Sequence, residues 1–364
     1  MRNEVRLTFA LFILTVAAVF AVAAQDQPTI MKDWVQMTAF TVNHQKGNYD
    51  IWTWLPKMSF RVNGPIESGG QLYVEVGYPG SPKWVTFDCD TGQIQKGYWW
   101  KTSCGGRDNI KEELASTYTG PVTFAIKMRN ELAGTDTTLF TGKAKVLKAR
   151  SNEHGPKFAN HHVYWIDHDW NLPIGYVWYT PHSVHGWKLT TLNVAFWVRG
   201  EGVKMDPHIF YQGKEVGKVF LDGIQVGAPG CNTEIENNTT HTVEDAALGK
   251  SKWVKLVCSF HNVYGHDQTG ETSTLTGPKF EMEKNPGEYE FKLLRNNKLA
   301  RSIKFTVKPG GSIDNGIATS NKLGNDRVIV PVTIIGDQDG LWDKTAWKTD
   351  AFYGNPLTGF SVSP

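Results

Sequence analysis

The sharpest candidate for a metal site lies in a stretch of the chain that is rich in histidine. His161 and His162 come shortly before the run Asp167-His168-Asp169. Imidazole nitrogens and carboxylate oxygens together suit zinc or copper. In an extended strand the two aspartates point to one face and His168 to the other, so a single coordination shell needs a turn, and Asn171-Leu172-Pro173 is typical of one. The competing interpretation is a polar loop whose histidines stack on neighbouring tryptophans.

A second candidate, for Ca²⁺, is the segment 336–343. Asp337, Asp339 and Asp343 offer carboxylate oxygens, and Gly340 permits a tight turn. The segment lacks the third acidic residue before the glycine and the late glutamate of an EF-hand loop. Aspartate and glycine are also the residues of ordinary β-turns, so the segment fits a calcium loop or a plain turn. Beyond Ca²⁺ or a transition metal at these two places, we predict no cofactor.

The same middle stretch is rich in tryptophan, which is the best clue to binding. A flat apolar ring with a polar edge suits contact with a sugar or a protein. We predict that any ligand site uses Trp165, Trp170, Trp178 and Trp187. The competing account is that these rings are buried between two domains. Trp197 is opposite in phase to Phe196, which predicts a position outside its own domain core, either on the surface or in a domain junction.

Recognisable catalytic spacings are missing from the sequence. It contains no GxSxG, no HExxH, no phosphate-binding loop and no glycine-rich dinucleotide fingerprint. Acidic residues are plentiful, so a pair of carboxylates of the kind that glycosidases use stays open as an alternative. No feature of the sequence singles out such a pair.

The elements that hold these residues are predicted to be β-strands. Residues 286–307 read as a β-hairpin, because apolar and charged residues alternate over 288–293 and apolar and polar residues alternate over 302–307. Asn296-Asn297 supplies the turn between them. Residues 120–146 have a similar form.

The two hairpins suggest an internal duplication. Met58, Phe60 and Val62 alternate inward before one hairpin, and the residues at 194, 196 and 198 do so before the other. A tryptophan stands five residues before a cysteine in each half, as Trp99 before Cys104 and Trp253 before Cys258. The alternating residues of the two copies are out of phase by one, so only the order of elements is compared.

Four cysteines fall as two in each half of the chain. An even number in an exported protein favours disulfides, and we predict the pairs Cys89–Cys104 and Cys231–Cys258. The alternative is four reduced, buried thiols. Spacing of the CxxC type is absent, which argues against a zinc site built from these cysteines.

Strands at this spacing, with an aromatic residue and a cystine in each half, suit a β-sandwich. The hairpin at 286–307 resembles the closing strands of bacterial secreted immunoglobulin-like β-sandwich modules. The resemblance implies an architecture and no activity. We therefore expect an all-β chain with two immunoglobulin-like β-sandwich domains in tandem and little helix. The expected segments are a signal peptide at 1–24, a first sandwich at 25–152, an aromatic and histidine-rich connection at 153–189, a second sandwich at 190–312, and an extension at 313–364 that packs on the sandwiches.

Localisation and partners follow from the first residues and from the charge. Arg2 and Arg6 precede an apolar run that ends in small residues, which is typical of a signal peptide; an uncleaved membrane anchor is the alternative. Removing residues 1–24 changes 38 basic and 36 acidic residues to 36 and 35, and this near-neutral balance argues against a nucleic-acid partner. We expect no membrane span after cleavage. The sequence predicts a secreted or periplasmic, non-enzymatic binding or structural protein, with a glycan or protein partner at the cell surface. The alternatives are a carbohydrate-active enzyme or carbohydrate-binding module that uses the middle tryptophans, and a metal-binding protein.

Overall fold

The computed structural model describes residues 27–46, 49–150, 162–184, 187–199, 205–218, 231–236, 253–265, 280–314, 316–321 and 327–362. Residues 1–24 and His161 lie outside these ranges. The backbone of Trp187 lies in a strand, but its side chain is outside the description.

The described chain is mostly β-strand with little helix, as predicted. The strands are β1 (Thr29–Ile30), β2 (Gln36–Lys46), β3 (Tyr49–Asn63), β4 (Gly70–Tyr78), β5 (Ser81–Cys89), β6 (Trp99–Gly105), β7 (Gly120–Asn130), β8 (Thr135–Arg150), β9 (His162–Ile166), β10 (Ile174–Val184), β11 (Trp187–Arg199), β12 (Met205–Tyr211), β13 (Lys214–Lys218), β14 (Cys231–Glu236), β15 (Trp253–Tyr264), β16 (Phe280–Glu281), β17 (Gly287–Arg295), β18 (Lys298–Val307) and β19 (Val328–Ile334). Helical turns within the described ranges are Lys32–Trp34, Gly106–Asp108, Glu112–Leu114, Asp169–Asn171, Met282–Lys284, Gly316–Ser320, Ala346–Lys348 and Ala351–Gly354.

The first half of the chain, β1 to β9, forms two sheets that face each other across one core. One sheet has the order β1-β3-β2 with β6 also paired to β3, and the other has the order β5-β4-β7-β8-β9. Met58, Phe60 and Val62 of β3 are fully buried in the core that both sheets share, so the predicted inward alternation is confirmed. The outward side chains of β3 and β6 form a second face of this sheet, and that face contributes to the candidate site described below.

The second half, β10 to β19, forms a single sheet with the order β13-β12-β17-β18-β19-β10-β11-β15-β14, and β16 pairs with β15. The sheet curls until β13 approaches β15, where Asn262 donates a hydrogen bond from Nδ2 to the Val216 carbonyl at 3.2 Å. A Cβ at Gly217 would overlap Val263, so glycine permits this approach. The result is close to a closed barrel, and its core includes Phe196, Phe260 and Phe291.

The predicted hairpin at 286–307 is confirmed as β17 and β18. Tyr289, Phe291 and Leu293 are 1%, 0% and 0% exposed, as the alternation required. Asn296 and Asn297 have φ values of 53° and 62°. Two consecutive residues with left-handed φ values are what a tight two-residue hairpin turn requires. The other predicted hairpin is also present, as β7 and β8.

Both predicted disulfides are confirmed, but their settings differ. Cys89–Cys104 joins β5 to β6 and so links the two sheets of the first half. Cys231–Cys258 joins directly opposed residues of β14 and β15 within one sheet. Trp99 is 43% exposed and Trp253 is fully buried, so the landmarks of the two halves share an order but not an environment.

The structure divides the expected connection at 153–189 between the two halves. Strand β9 pairs with β8 in the first half, and β10 pairs with β11 and β19 in the second. The expected extension at 313–364 contributes β19, which lies between β18 and β10, and then continues to the first core through Phe352, Tyr353 and Phe360. Each piece completes a sheet edge or covers apolar surface. Within the described ranges, no helix has the length and apolar character needed to cross a membrane.

Most described side chains of β11 and β15, and those of residues 174–177 in β10, are buried on both faces of the sheet. On β11, Phe196 points into the curled sheet and Trp197 points out of it, and they are 0% and 4% exposed. Trp197 packs with Trp165 of β9 and Trp253 of β15 in a small cluster of their own. The prediction that Trp197 lies outside its domain core is confirmed, and its place is the junction of the two halves.

Candidate binding site

A cavity of about 290 Å³ lies where the outer face of the first half's four-stranded sheet meets the outer face of the curled sheet. We call it the junction cavity. It is lined by five aromatic residues, two lysines, one histidine and a few other residues: Trp34, Trp170, Tyr176, Trp197, Tyr353, Lys101, Lys255, His168, Asp33, Val35, Gln36, Ser59 and Asn171.

The strand register determines which side chains face the junction cavity from each of its walls. Lys101 on β6 lies opposite Arg61 on β3, facing away from the core that Phe60 fills. On the other wall Trp197 lies opposite Lys255. Lys101 is exposed and Lys255 is 4% exposed, so Lys101 marks the mouth and Lys255 a deep wall.

His168 is the most deeply buried polar side chain of the cavity lining, at 1% exposure. Burial lowers its pKa to about 3, and the main chain of Met37 opposes this only in part, so the imidazole is neutral at ordinary pH. Its Nδ1 lies 3.1 Å from Asn171 Nδ2. An amide nitrogen donates, so Nδ1 accepts and the proton is assigned to Nε2. In the described part of the chain, that Nε2 has no hydrogen bond of good geometry, although the main chain of Met37 acts on the imidazole.

Trp34 presents a similar atom from the opposite wall. Its indole Nε1 is buried and has no hydrogen-bond partner among the described residues. Its ring is held between two guanidinium groups, those of Arg61 at 3.4 Å and Arg327 at 3.9 Å from the ring centre. Arg327 also lies 4.4 Å from the ring centre of Trp178. This cation–π stack fixes Trp34 and joins the two halves.

The predicted ligand-binding tryptophans fall into different environments. Trp165 and Trp170 are 8% and 6% exposed, which leaves neither ring open to stack on a sugar at the surface. Trp170 packs on Phe352 and also lines the junction cavity. Trp178 is half-buried, with one face covered by Arg327. For Trp165 the alternative account, burial between domains, fits the structure.

Those predicted metal ligands that the structure describes are not brought together. His162 lies at the start of β9 and is half-buried, whereas His168 is fully buried beside Asn171. Over the ranges that the structure describes, no group of three or more His, Cys, Asp or Glu residues is arranged to hold a metal ion. Asp337 and Asp343 are exposed, and Asp339 is 3% exposed.

Asp339 serves as the counter-ion of a buried arginine network. Arg301 Nη2 lies 2.6 Å from Asp339 Oδ2, and Arg295 Nη1 lies 3.6 Å from Oδ1. The Arg199 main-chain N–H donates to Oδ1 at 2.9 Å. Arg295 and Arg301 continue the inward rows of β17 and β18, so this network closes one end of the curled sheet. Arginine and main-chain donors therefore occupy the oxygens that the calcium prediction assigned to a metal.

A second cleft, of about 390 Å³, is acidic. We call it the acidic cleft; Asp167, Asp169, Asp343, Asp350 and Trp170 line it, together with Lys143, Lys145, Pro121, Ala144 and Ala346. Burial, together with the charge of Asp169, raises the pKa of Asp167 to about 6. The cleft therefore contains one carboxyl group able to hold a proton at mildly acid pH beside carboxylates that the fold keeps close.

Asp169 is committed to structural contacts. Trp253 donates from Nε1 to Asp169 Oδ1 at 3.2 Å, and the Asp343 main-chain N–H donates to Oδ2 at 2.7 Å. Arg199 Nη1 lies 3.7 Å from Oδ1 and its guanidinium lies 4.8 Å from the centre of the Trp253 ring. These bonds tie the tail of the chain to both halves.

Asp167 and His168 give opposite pH dependences of stability. The folded state keeps a proton on Asp167 up to about pH 6 that the unfolded chain loses near pH 4, so this contribution to the free energy of unfolding falls as pH rises from about 4 to 6. For His168 the unfolded chain gains a proton below about pH 6.5, and the folded state resists it down to about 3. That contribution falls as pH drops through this window.

We predict that Asp167→Asn removes the Asp167 contribution to the pH dependence of stability and leaves that of His168. The amide oxygen can still accept the Asp169 N–H bond at 3.2 Å. Above pH 6 the variant should be more stable than the wild type by about 2 kcal/mol, allowing for partial exposure, and near pH 4 the two should be equal. Urea unfolding followed by tryptophan fluorescence from pH 4 to 7.5 measures this. Asp90→Asn, at an exposed position, is the control; a variant less stable than the wild type at pH 7.5 would contradict the assignment.

Sequence reasoning missed an exposed aromatic group at the start of β6. Tyr98, Trp99 and Trp100 are 65%, 43% and 51% exposed. Consecutive tryptophans in a strand point to opposite faces, and this was the available signal that both could not lie in one core. Trp99 shares the outer face with Lys101, two residues along the strand and so about 7 Å away. Of these three residues, Trp99 therefore extends the aromatic surface from the mouth of the junction cavity.

Comparison of the chain with protein-family models, with curated proteins and with solved structures found no match. The fold defines the class: a mostly β protein with two disulfides, whose halves meet around an aromatic cavity.

Proposed function

We propose that the protein is a secreted or periplasmic, non-enzymatic binding protein whose junction cavity receives a glycan. The predicted signal peptide and two disulfides are compatible with an oxidising compartment. We propose further that each half is an immunoglobulin-like module, with the curled sheet of the second half as a modified sandwich.

One observation carries the proposal: two residues that line an aromatic cavity each hold a buried polar atom without a partner in the described part of the chain. These atoms are His168 Nε2 and Trp34 Nε1. A buried donor left unsatisfied costs about 1–3 kcal/mol, which a ligand that accepts from it would recover. A sugar offers hydroxyl acceptors along with apolar ring faces, which matches two donors set among five aromatic rings.

The exposed Trp99 ring supports a ligand longer than the cavity. Trp99 stands on the same outer face as Lys101 at the mouth. An oligosaccharide with one unit in the cavity would bring a further unit over the exposed Trp99 ring. The two sites form one path, which favours a chain-like ligand over a single small molecule.

The acidic cleft favours a second candidate, a carbohydrate-active enzyme. Glycoside hydrolysis uses a carboxylic acid that holds a proton together with a second carboxylate. Asp167, with a pKa of about 6, has the character of the acid, and Asp343 or Asp350 would supply the second group. Trp170 lines both this cleft and the junction cavity, so the two cavities share one side chain of their walls.

We predict that Ser59→Phe blocks glycan binding. Ser59 is a half-buried residue of the cavity lining on the outward face of β3, so a phenyl ring there fills the cavity without entering the core. The wild type is tested against a glycan array and the best ligand is measured by calorimetry. We expect Ser59→Phe and Trp99→Ala each to weaken binding by about tenfold or more. An aromatic contact contributes about 0.5–1.5 kcal/mol beyond its buried area, and a tenfold change in affinity corresponds to about 1.4 kcal/mol.

Thr306→Phe, at an exposed position of β18 away from the cavity, is the matched control and should bind as the wild type does. No binding to any glycan, or equal binding by Ser59→Phe, would refute the proposal. Release of reducing sugar from the bound glycan, abolished by Asp167→Asn, would instead support the enzyme.

A further inference from the structure

We infer that the junction cavity selects an acidic glycan, with Lys101 and Lys255 recognising a negatively charged group on the sugar ring. This inference rests on the proposed function and narrows its ligand class. Two lysines and one aspartate, Asp33, are the charged residues of the cavity lining.

The surroundings of the cavity strengthen its positive character. Arg61 and Arg327, which hold the Trp34 ring, add two more cationic groups behind that wall. His168 is neutral, so its Nε2–H offers a donor without adding charge. Among the charged residues of the cavity lining, lysine outnumbers aspartate by two to one, whereas the full chain is nearly balanced, with 38 basic and 36 acidic residues.

The two lysines are placed at different depths along one route. Lys101 is exposed at the mouth, where it attracts an anion from solvent. Lys255 is 4% exposed and lies 4.5 Å from the centre of the Tyr176 ring, which holds its ammonium group at the deep wall. Charge-assisted hydrogen bonds from lysine to a carboxylate or sulfate are stronger than neutral ones, and burial strengthens them further.

In this proposal the aromatic rings contact the apolar face of the sugar, and the lysines bind its charged group. Trp197 lies directly opposite Lys255 in the strand register, so a ring face and an ammonium group are presented side by side. A sugar ring with one acidic substituent matches this pairing, because its apolar face and its charge lie on adjacent parts of one unit. A carboxylate on C6 and a sulfate ester share this chemistry.

The test compares ligands that differ only in charge. Oligogalacturonate and its methyl ester carry the same sugar backbone, and a sulfated galactose oligosaccharide separates carboxylate from sulfate. By calorimetry at 50 mM and 300 mM NaCl, we expect the acid to bind about tenfold more tightly than the ester at low salt, with the difference shrinking at high salt. Binding of the sulfated sugar alone would assign the sulfate as the recognised group, and binding of oligogalacturonate alone would assign the carboxylate.

Variants test the two lysines directly. Lys101→Gln, at an exposed position, and Lys255→Met, which keeps the apolar stem, should each reduce affinity for the acid about tenfold and leave affinity for the ester unchanged. Lys298→Gln, exposed and distant on β18, is the control. Equal binding of acid and ester, or no effect of Lys101→Gln, would overturn the inference and leave glycan binding standing. Failure of every charged and neutral glycan to bind would overturn both.

Discussion

Replacing Asp339 by asparagine is expected to lower the free energy of unfolding by about 3–5 kcal/mol, because it leaves buried arginine charges without their counter-ion. Arg301 is 1% exposed, and its Nη2 lies 2.6 Å from Asp339 Oδ2. Arg295 lies 3.6 Å from the other carboxylate oxygen. An amide at this place has no charge and turns a donor toward other donors. The loss is therefore that of a buried unpaired charge, larger than the value of a surface ion pair.

The measurement is denaturant unfolding followed by circular dichroism and fluorescence. Asp337→Asn, two residues away and exposed, is the matched control and should change stability by no more than about 0.5 kcal/mol. Adding Arg301→Met to Asp339→Asn should recover part of the loss, since it removes the unpaired charge together with its partner. Equal effects of the two asparagine variants would mean that the network does not hold this end of the sheet.

Alternation let the sequence predict the strands and the faces that they bury. Phe291 and Phe60 are in the core because period-2 patterning has one solution when one face is wet. The same rule placed Trp197 outside its core, but it did not choose between surface and junction. That choice depends on how two sheets meet, and the residues that decide it lie on distant parts of the chain.

The candidate site was harder to predict because long-range pairing defines it. Asp339 and its neighbours have the composition of a turn or of a calcium loop, and only the approach of Arg295 and Arg301 gives the carboxylate its role. Trp34 lies in a short helical turn far from Arg327 in sequence, yet the two stack at 3.9 Å. Such contacts leave no local pattern, so the middle tryptophans were favoured over Trp34 and Trp99.

A matching order of landmarks also proved a weaker guide than side-chain environment. Trp99 and Trp253 each stand five residues before a cysteine, but Trp99 is exposed beside the cavity mouth and Trp253 donates to Asp169 in the interior. Equal spacing from a cysteine determines where a tryptophan lies along its strand. It does not determine which other sheet covers that strand. The exposed member of this pair is the one that joins the proposed ligand path.

Phe291→Ala is expected to lower the free energy of unfolding by about 3–5 kcal/mol, the range found when a buried phenylalanine is truncated and the cavity left behind collapses only partly. Phe291 is fully buried on β17, and its ring centre lies 5.3 Å from that of Phe196 and 6.1 Å from that of Phe260. It therefore joins β17 to β11 and β15 across the inside of the curled sheet.

Urea unfolding at neutral pH, monitored by far-ultraviolet circular dichroism, gives the magnitude for Phe291→Ala. Lys304→Ala on the neighbouring strand β18 is exposed and serves as the control, with an expected change within about 0.5 kcal/mol. Phe291→Leu should lose less than Phe291→Ala, because it retains more of the buried volume. A nearly neutral Phe291→Ala with a destabilised Lys304→Ala would show that the two faces of the hairpin are exchanged, and with them the inward position of Arg295 and Arg301 beside Asp339.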